Sequence, residues 1–379
     1  MHIAFLTTEY PHDKTGKYGG IGTSIKNAAE GLVAAGEKVS VFVISQQETG
    51  IFEENGIEIH LIAQRKYRFL SWLFYKKYVQ RYIKSQIKKQ NIDVLEAPDW
   101  SGISAFMNFD CPLAVRFHGT DAYFCELEVR KQKPKNFWLE KIALRGADHF
   151  ISVSQFTAER TRNLFKLKKK IAIVPNSVDI DRFMARPEVE EEHRLLYFGT
   201  LIRKKGVLDL AGIFNRIVEK SPKTALFLAG SDVVDLQSGK STWEIMQEIL
   251  SPLAKESVHF LGKLSYDRIQ DEIAKATVVM LPSHAEALPM TWLEAMAMEK
   301  ALITSNIGWA KEVMVDGITG FTIDPKNHKL YAEKALQLLQ DKNLRETMGK
   351  SARERVALHF SSKVVAQKNL NFYRNICGL

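Results

Sequence analysis

Two glutamates, Glu286 and Glu294, stand with seven residues between them in the stretch 278–298, VVMLPSHAEALPMTWLEAMAM. Both carboxylates can accept hydrogen bonds from the hydroxyls of one ligand if the chain passes from a strand into a helix between them. The residue types predict that passage. Val278, Val279, Met280 and Leu281 form a short apolar run of the kind found in fully buried strands. Pro282-Ser283-His284 make a polar corner, and Pro289 is placed to open an amphipathic helix, because its fixed φ suits a first turn. Helical side chains lean toward the N-terminus, so Glu294 can look into the crevice that Glu286 enters from the loop. The helix start between them, at Ala287, Leu288, Pro289, Met290 and Thr291, offers N–H groups and a partial positive charge to a phosphate. Pro289 itself has no N–H to give. Hydroxyl acceptors beside an anion site, beyond the carboxyl end of a buried strand, suggest a sugar nucleotide. The plain alternative is a core strand and a surface helix bearing two solvated glutamates.

Other residues could serve the same ligand. Gly199-Thr200-Leu201-Ile202-Arg203-Lys204-Lys205-Gly206 ends the strand-like run LLYFG and continues beyond it, and its three cations would repel one another unless an anion neutralised them. A diphosphate would do so, with arginine as a fork and lysine as a point charge. Gly230 and the pair Lys263-Leu264 end the runs ALFLAG and VHFLG at the same expected edge. In the first half of the chain, Gly19 and Gly20 come after the opening strand and the loop 10–18, where glycine lets backbone N–H groups face a ligand. His118 ends the run LAVRF, at the ligand edge of an α/β sheet, and Asp121 is read as the cap of the next segment.

These strings resemble the family-4 retaining glycosyltransferases, enzymes of the two-domain GT-B fold. The family's E-G-F-G-L-x-x-x-E-A-M-A stands here as E-A-L-P-M-T-W-L-E-A-M-A, with both glutamates matched and two glycines replaced, by Ala287 and Pro289. Its G-R-L-x-x-x-K-G matches at Gly199, Lys205 and Gly206 but has Thr200 for the arginine, and its H-G-x-D matches at His118, Gly119 and Asp121. P-N-G-V-D appears at 175–179 with Ser177 for glycine, and Gly308-Trp309-Ala310-Lys311-Glu312-Val313 matches the family closely. The resemblance covers nearly the whole chain and is strongest over 197–324.

The resemblance implies two Rossmann-like domains whose parallel sheets face each other across a cleft. It implies transfer of a sugar from a nucleotide-sugar donor to a glycan or lipid-linked glycan, with retention of configuration and without metal or other cofactor. His118 would sit by the transferred sugar, and His118, Glu286 and Lys205 would be the catalytic residues. Gly19 and Gly20 would lie over the donor diphosphate. Lys205 would hold the phosphates, with Arg203 standing in for the arginine missing at Thr200, and the backbone at Lys263 and Leu264 would border the nucleobase. The string EALPMTWLEAMA is similar to variants from bacterial surface-polysaccharide clusters, whose glycans grow on polyprenyl diphosphate at the cytoplasmic membrane face. A sugar-nucleotide epimerase or hydrolase on the same fold, and a binder without catalysis, both stay open.

The elements that must position these residues are legible as a rhythm. Strand-like runs occur at HIAFLT, KVSVFVI, IDVLEA, LAVRFH, HFISVS and IAIVPN, then at LLYFG, ALFLAG, VHFLG, VVMLP and ALITS, with helical patterns between. Such alternation predicts parallel sheets covered on both faces. A chain of 379 residues suits two domains of about 180 residues each. The polar, acidic segment 185–193 places the boundary at 187/188, giving an acceptor-side domain 1–187 and a donor-binding domain 188–360. By resemblance, the final helix 361–379 would pack back on the first domain.

Three cysteines are too few and too irregular for a disulfide framework or a zinc site. The opening MHIAFLTTEYP has no basic n-region, and no stretch approaches the ~20 apolar residues of a membrane span. The expectation is a cytoplasmic protein, at most peripheral at the inner face of the plasma membrane. The net charge of +9 is concentrated early, with 22 basic against 10 acidic residues over 61–170. Within it, 65–89 holds nine basic residues and no acid, with Phe69, Trp72, Leu73, Phe74, Tyr75, Tyr78 and Tyr82 interleaved. On a helical wheel Lys77, Arg81, Lys84 and Lys88 share one face, and Trp72, Val79, Ile83 and Ile87 another. This stretch is either an ordinary fold helix with snorkelling lysines or a surface for anionic lipid. Nucleic acid is not expected, because no recognisable motif accompanies the charge.

Overall fold

The computed structural model describes residues 1–16 and 19–379, so Lys17 and Tyr18, at the end of the expected loop 10–18, lie outside the described residues. The chain forms two units, Met1–Ser177 with Ser361–Leu379, and Val178–Phe360. The division falls inside the string 175–179 rather than at 187/188. The acidic segment is tied into the second unit by its charges: Glu190 takes Lys300 Nζ at 3.2 Å, and Glu191 takes Arg194 Nη1 at 2.6 Å. The final helix belongs to the first unit.

The first unit carries β1 (His2–Thr7), β2 (Lys38–Gln46), β3 (Gly50–Glu54), β4 (Ile57–Ala63), β5 (Val94–Pro98), β6 (Leu113–Phe117), β7 (His149–Ser152) and β8 (Ile171–Ile173). Their order in the sheet is β3-β4-β2-β1-β5-β6-β7-β8, parallel throughout except for β3 against β4. Strand order reverses at β1, which pairs with β2 on one side and β5 on the other. The antiparallel β3–β4 hairpin was not expected. Asn55 and Gly56 make its turn with φ of 53° and 76°, the left-handed pair that a two-residue hairpin loop demands.

Every residue of β1, β5 and β6 is buried, so helices must cover both faces. One cover is the helix Ser71–Gln90, which turns Tyr75, Val79, Ile83 and Ile87, spaced four apart, into the core. On the other face the final helix, Ser362–Cys377, contributes Leu370 and Tyr373 to a core with Phe5, Val41 and Ile59. A buried charge cluster pins it there. Arg116 donates to both oxygens of Glu96 at 2.6 and 2.9 Å and to Asn369 Oδ1 at 2.7 Å, while the Tyr373 hydroxyl donates to Glu96 Oε2 at 2.7 Å.

The second unit carries β9 (Arg194–Phe198), β10 (Ala225–Ala229), β11 (Val258–Gly262), β12 (Val278–Leu281), β13 (Leu302–Ser305) and β14 (Phe321–Ile323), in the all-parallel order β11-β10-β9-β12-β13-β14. Here the order reverses between β9 and β12, which are neighbours. Every strand expected from the sequence is present; β3, β4 and β14 are additional. Among the described residues no helix is long and apolar enough to cross a membrane.

Candidate functional site

In an open parallel sheet, ligands bind beyond the carboxyl ends of the strands where the order reverses. In the second unit that place is framed by the segments that leave β9 and β12. The first carries Lys205 and the second carries Glu286. Lys205 Nζ donates to Glu286 Oε1 at 2.7 Å, and the Ser283 hydroxyl donates to the same oxygen at 3.1 Å. Both side chains are largely shielded, 21% and 12% exposed, so neither is a solvated surface group. Tyr197, buried at the end of β9, feels Glu286 as well: its hydroxyl pKa is raised first by burial and then by that carboxylate.

The two segments are built to touch. Gly206 has φ of 71°, and a Cβ placed on it would lie 1.9 Å from the Pro282 carbonyl oxygen, so only glycine fits there. The Lys204 carbonyl accepts from His284 N and Ala285 N at 2.7 and 3.2 Å. His284 Nε2 in turn donates to Asp209 Oδ2 at 2.7 Å, and His328 Nε2 donates to Oδ1 at 2.9 Å. Asp209 lies in the first turn of the helix Val207–Lys220 and His328 begins the helix His328–Gln340.

The helix after β12 is Met290–Ala297, with Pro289 as its N-cap rather than its first residue. It is not amphipathic as expected. Met290 and the six residues from Trp292 to Ala297 are buried and only Thr291 is half-buried, with β13 and the helix Lys342–His359 packed against it. Ala287 and Leu288 are buried too. Glu294 therefore points into protein, where Tyr266 donates its hydroxyl to Oε1 at 2.8 Å. Burial pushes its carboxyl up to about 7, against that hydrogen bond and the nearby charges of Lys205 and Arg182. Lys205 thus stands between the two glutamates electrically, bonded to one and felt by the other.

The strand ends expected at one edge are side by side. Gly199 N donates to Ala229 O and Gly230 N to Gly262 O, each at 2.8 Å, and a Cβ on Gly230 would lie 1.9 Å from the Gly199 carbonyl oxygen. Lys263 and Leu264 come directly after Gly262. Thr200 lends its carbonyl to the Tyr197 hydroxyl at 2.9 Å. Arg203 differs from expectation. Its Nε and Nη2 both donate to Asp235, at 2.9 Å each, and this fork holds the Asp235 carboxyl well below its usual range. The anions that neutralise Arg203 and Lys205 are thus carboxylates of the chain itself.

In the first unit, His118 comes directly after β6 as predicted. It is buried, and burial with the Arg116 charge pushes its pKa down to about 3, so the ring is neutral. Its backbone N–H donates at 3.0 Å to Asp99, whose carboxyl is raised by complete burial. The cap of the next helix is Thr120, which accepts from Tyr123 N; Asp121 instead takes Arg130 at 2.8 Å and Asn136 at 3.0 Å. Gly19 caps the helix Gly20–Ala34, yet its N–H groups do not all face outward. Gly19 N and Gly22 N donate to the Glu9 carboxylate at 3.1 and 2.8 Å.

Sequence reasoning missed Glu9, Asp99, Asp209, Asp235 and Tyr266. Each acts through a partner far along the chain, which spacing does not reveal; only Glu9, just past β1 and before the glycines, carried a local signal. Among the described residues no group of three or more His, Cys, Asp or Glu is arranged to hold a metal ion.

Residues 18–182 match the family profile described as Glycosyltransferase Family 4, and 179–355 match Glycosyl transferases group 1. A glycogen synthase of Mycobacterium tuberculosis is 25% identical over 98% of this chain and 94% of its own. The capsular polysaccharide biosynthesis glycosyltransferase CapM of Staphylococcus aureus is 27% identical over 62% of this chain and 64% of its own. The structure of Anabaena HepE in complex with UDP-glucose superposes with a TM-score of 0.76, at 19% identity, covering 99% of this chain and 100% of that one. Two profiles that meet where the two units divide, on parallel sheets whose ligand edge carries the matched glutamates and lysine, make this chain a glycosyltransferase of family 4 with the GT-B fold.

Proposed function

We propose that this glycosyltransferase takes its sugar from a nucleotide-sugar, retains the anomeric configuration and needs no metal. The observation that carries the reading is the Lys205–Glu286 pair at the point where strand order reverses between β9 and β12. A departing nucleoside diphosphate builds negative charge, and a fixed ammonium together with the N-terminus of Met290–Ala297 would stabilise it as a metal would elsewhere. When the diphosphate draws on Lys205, Glu286 is freed in part to accept hydrogen bonds from the sugar. Neutral His118 is suited to accept or donate one hydrogen bond to the sugar without adding charge. The UDP-glucose bound by HepE supports a nucleotide-sugar donor.

The acceptor we propose is a growing cell-surface glycan, carried on a polyprenyl diphosphate. CapM's role in capsule synthesis supports that class. The membrane-facing edge we assign is 65–74, narrower than the 65–89 expected. Lys77 is spent on the Gln80 side chain and the Phe106 carbonyl, Lys84 on Asp110 at 2.7 Å, and Trp72 packs against Phe106 and Trp138. Phe69, Leu70 and Phe74 are exposed, in company with Arg65, Lys66 and Arg68.

Incubation with UDP-, GDP- and ADP-sugars and polyprenyl-diphosphate glycans, with product configuration read by proton NMR, tests the reading. We expect transfer with retention, unchanged by EDTA. An epimer or free sugar with no transfer product contradicts it.

A further inference from the structure

The carboxylate of Asp209 is held from both sides by histidines, and neither histidine belongs to the residues so far given a chemical role. We infer that Asp209, with His284 and His328, is a positioning device that sets the Glu286-bearing loop against Lys205, an inference that rests on the reading of Lys205 and Glu286 as transfer residues.

The loop from Pro282 to Glu286 carries no secondary structure of its own, yet its last residue must meet Lys205 at hydrogen-bond distance. Its backbone is fastened by the Lys204 carbonyl, which receives His284 N and Ala285 N. Its side chains reach the helix Val207–Lys220 through His284, bonded to Asp209 at 2.7 Å. A carboxylate bonded at one oxygen can swing about its side-chain torsions. The bond from His328 to the other oxygen, at 2.9 Å, removes that freedom. His328 is itself fixed, since its ring packs over Gly212, where a Cβ would approach Nδ1 to 2.6 Å. The order of support is therefore Gly212, His328, Asp209, His284, loop, Glu286. Asp209 also faces the charge of Arg203, whose fork stays on Asp235. The two histidines lower the Asp209 carboxyl pKa against the effect of its burial, so it accepts both bonds as a carboxylate. A group so placed acts by holding the one that meets the substrate.

The test compares Asp209→Asn, His284→Asn and His328→Gln with Glu286→Gln and Lys205→Ala in the full chain. Release of nucleoside diphosphate is monitored with UDP-glucose, UDP-N-acetylglucosamine, GDP-mannose and ADP-glucose, using whichever turns over fastest. Asp209→Asn should lower kcat about ten- to a hundredfold with the donor KM within about threefold, as expected of a misplaced catalytic group. His328→Gln, which removes one hydrogen bond and serves if Asp209→Asn fails to fold, should lower kcat about threefold or more. Combined with Glu286→Gln, Asp209→Asn should add almost nothing, because both act through one contact. Wild-type kcat in Asp209→Asn and His328→Gln, or effects that multiply in the double variant, overturns the inference while leaving the site intact. Unchanged turnover in Glu286→Gln and Lys205→Ala overturns the site reading itself.

Discussion

Glu294 is buried where its charge is opposed by desolvation and favoured by a tyrosine and two cations, and desolvation wins. An exposed carboxyl would titrate near 4.5, while this one titrates at about 7 when folded. Between those values the folded protein keeps a proton that the unfolded chain has released, so stability falls as pH rises through that window and is level above it. The loss is on the order of 3 kcal/mol. Glu294→Gln keeps an acceptor for Tyr266 and removes the titration. Its melting temperature relative to wild type should rise between about pH 5 and pH 8; a difference that does not change with pH contradicts the assignment. Gly206 makes a second residue-scale case. With φ of 71° and the Pro282 oxygen 1.9 Å from any Cβ, Gly206→Ala should force the two site segments apart. Activity should fall more than about tenfold, as for other displaced groups, and wild-type activity would show that the segments move independently.

Elements were legible where one local pattern sufficed. The run Val278–Leu281 with its Pro-Ser-His corner placed a strand and a turn correctly, and the matched glutamates came with them. The hairpin was missed although Asn55-Gly56 is a strong turn signal, because β3 is short and its residues Gly-Ile-Phe-Glu-Glu do not alternate apolar with polar, although their burial does. β14, at three residues, is too short for a period to show. Partners joined by folding were not legible at all: nothing near Arg203 announces Asp235, and nothing near His118 announces Asp99. The same holds for the clamp on the final helix. Glu96 is the shared acceptor of Arg116 and Tyr373, so Glu96→Ala leaves a buried guanidinium without its carboxylate and should cost about 3–5 kcal/mol in the first unit. Tyr373→Phe removes one hydrogen bond from a carboxylate that keeps its arginine and should cost about 1–2 kcal/mol. Urea unfolding monitored by tryptophan fluorescence separates them, and equal losses would mean the cluster is not organised around Glu96.

For the molecule as a whole, the excess of basic over acidic residues lies in 61–170, in the first unit, while Lys205, Glu286 and Glu294 lie in the second. Polybasic contacts are worth about 1 kcal/mol each near anionic lipid and are screened by salt. Liposomes with phosphatidylglycerol should therefore sediment the protein at low salt and release it at high salt. Phe69→Ala with Phe74→Ala should weaken the binding more than Lys77→Ala with Lys84→Ala, and recovery in the supernatant under every condition would leave 65–89 as a fold helix alone. We assign the work of transfer to Lys205 and Glu286 together, one on the leaving diphosphate and one on the sugar. Calorimetric titration with UDP, GDP and ADP, beside turnover of the matching sugar nucleotide, tests that division most directly. Lys205→Ala should weaken nucleoside diphosphate binding about tenfold or more, as expected for a lost charge-assisted contact. Glu286→Gln should leave that binding within about threefold while kcat falls roughly a hundredfold or more, as for other groups whose contacts strengthen in the transition state. Equal binding and undiminished kcat in both variants would contradict the account.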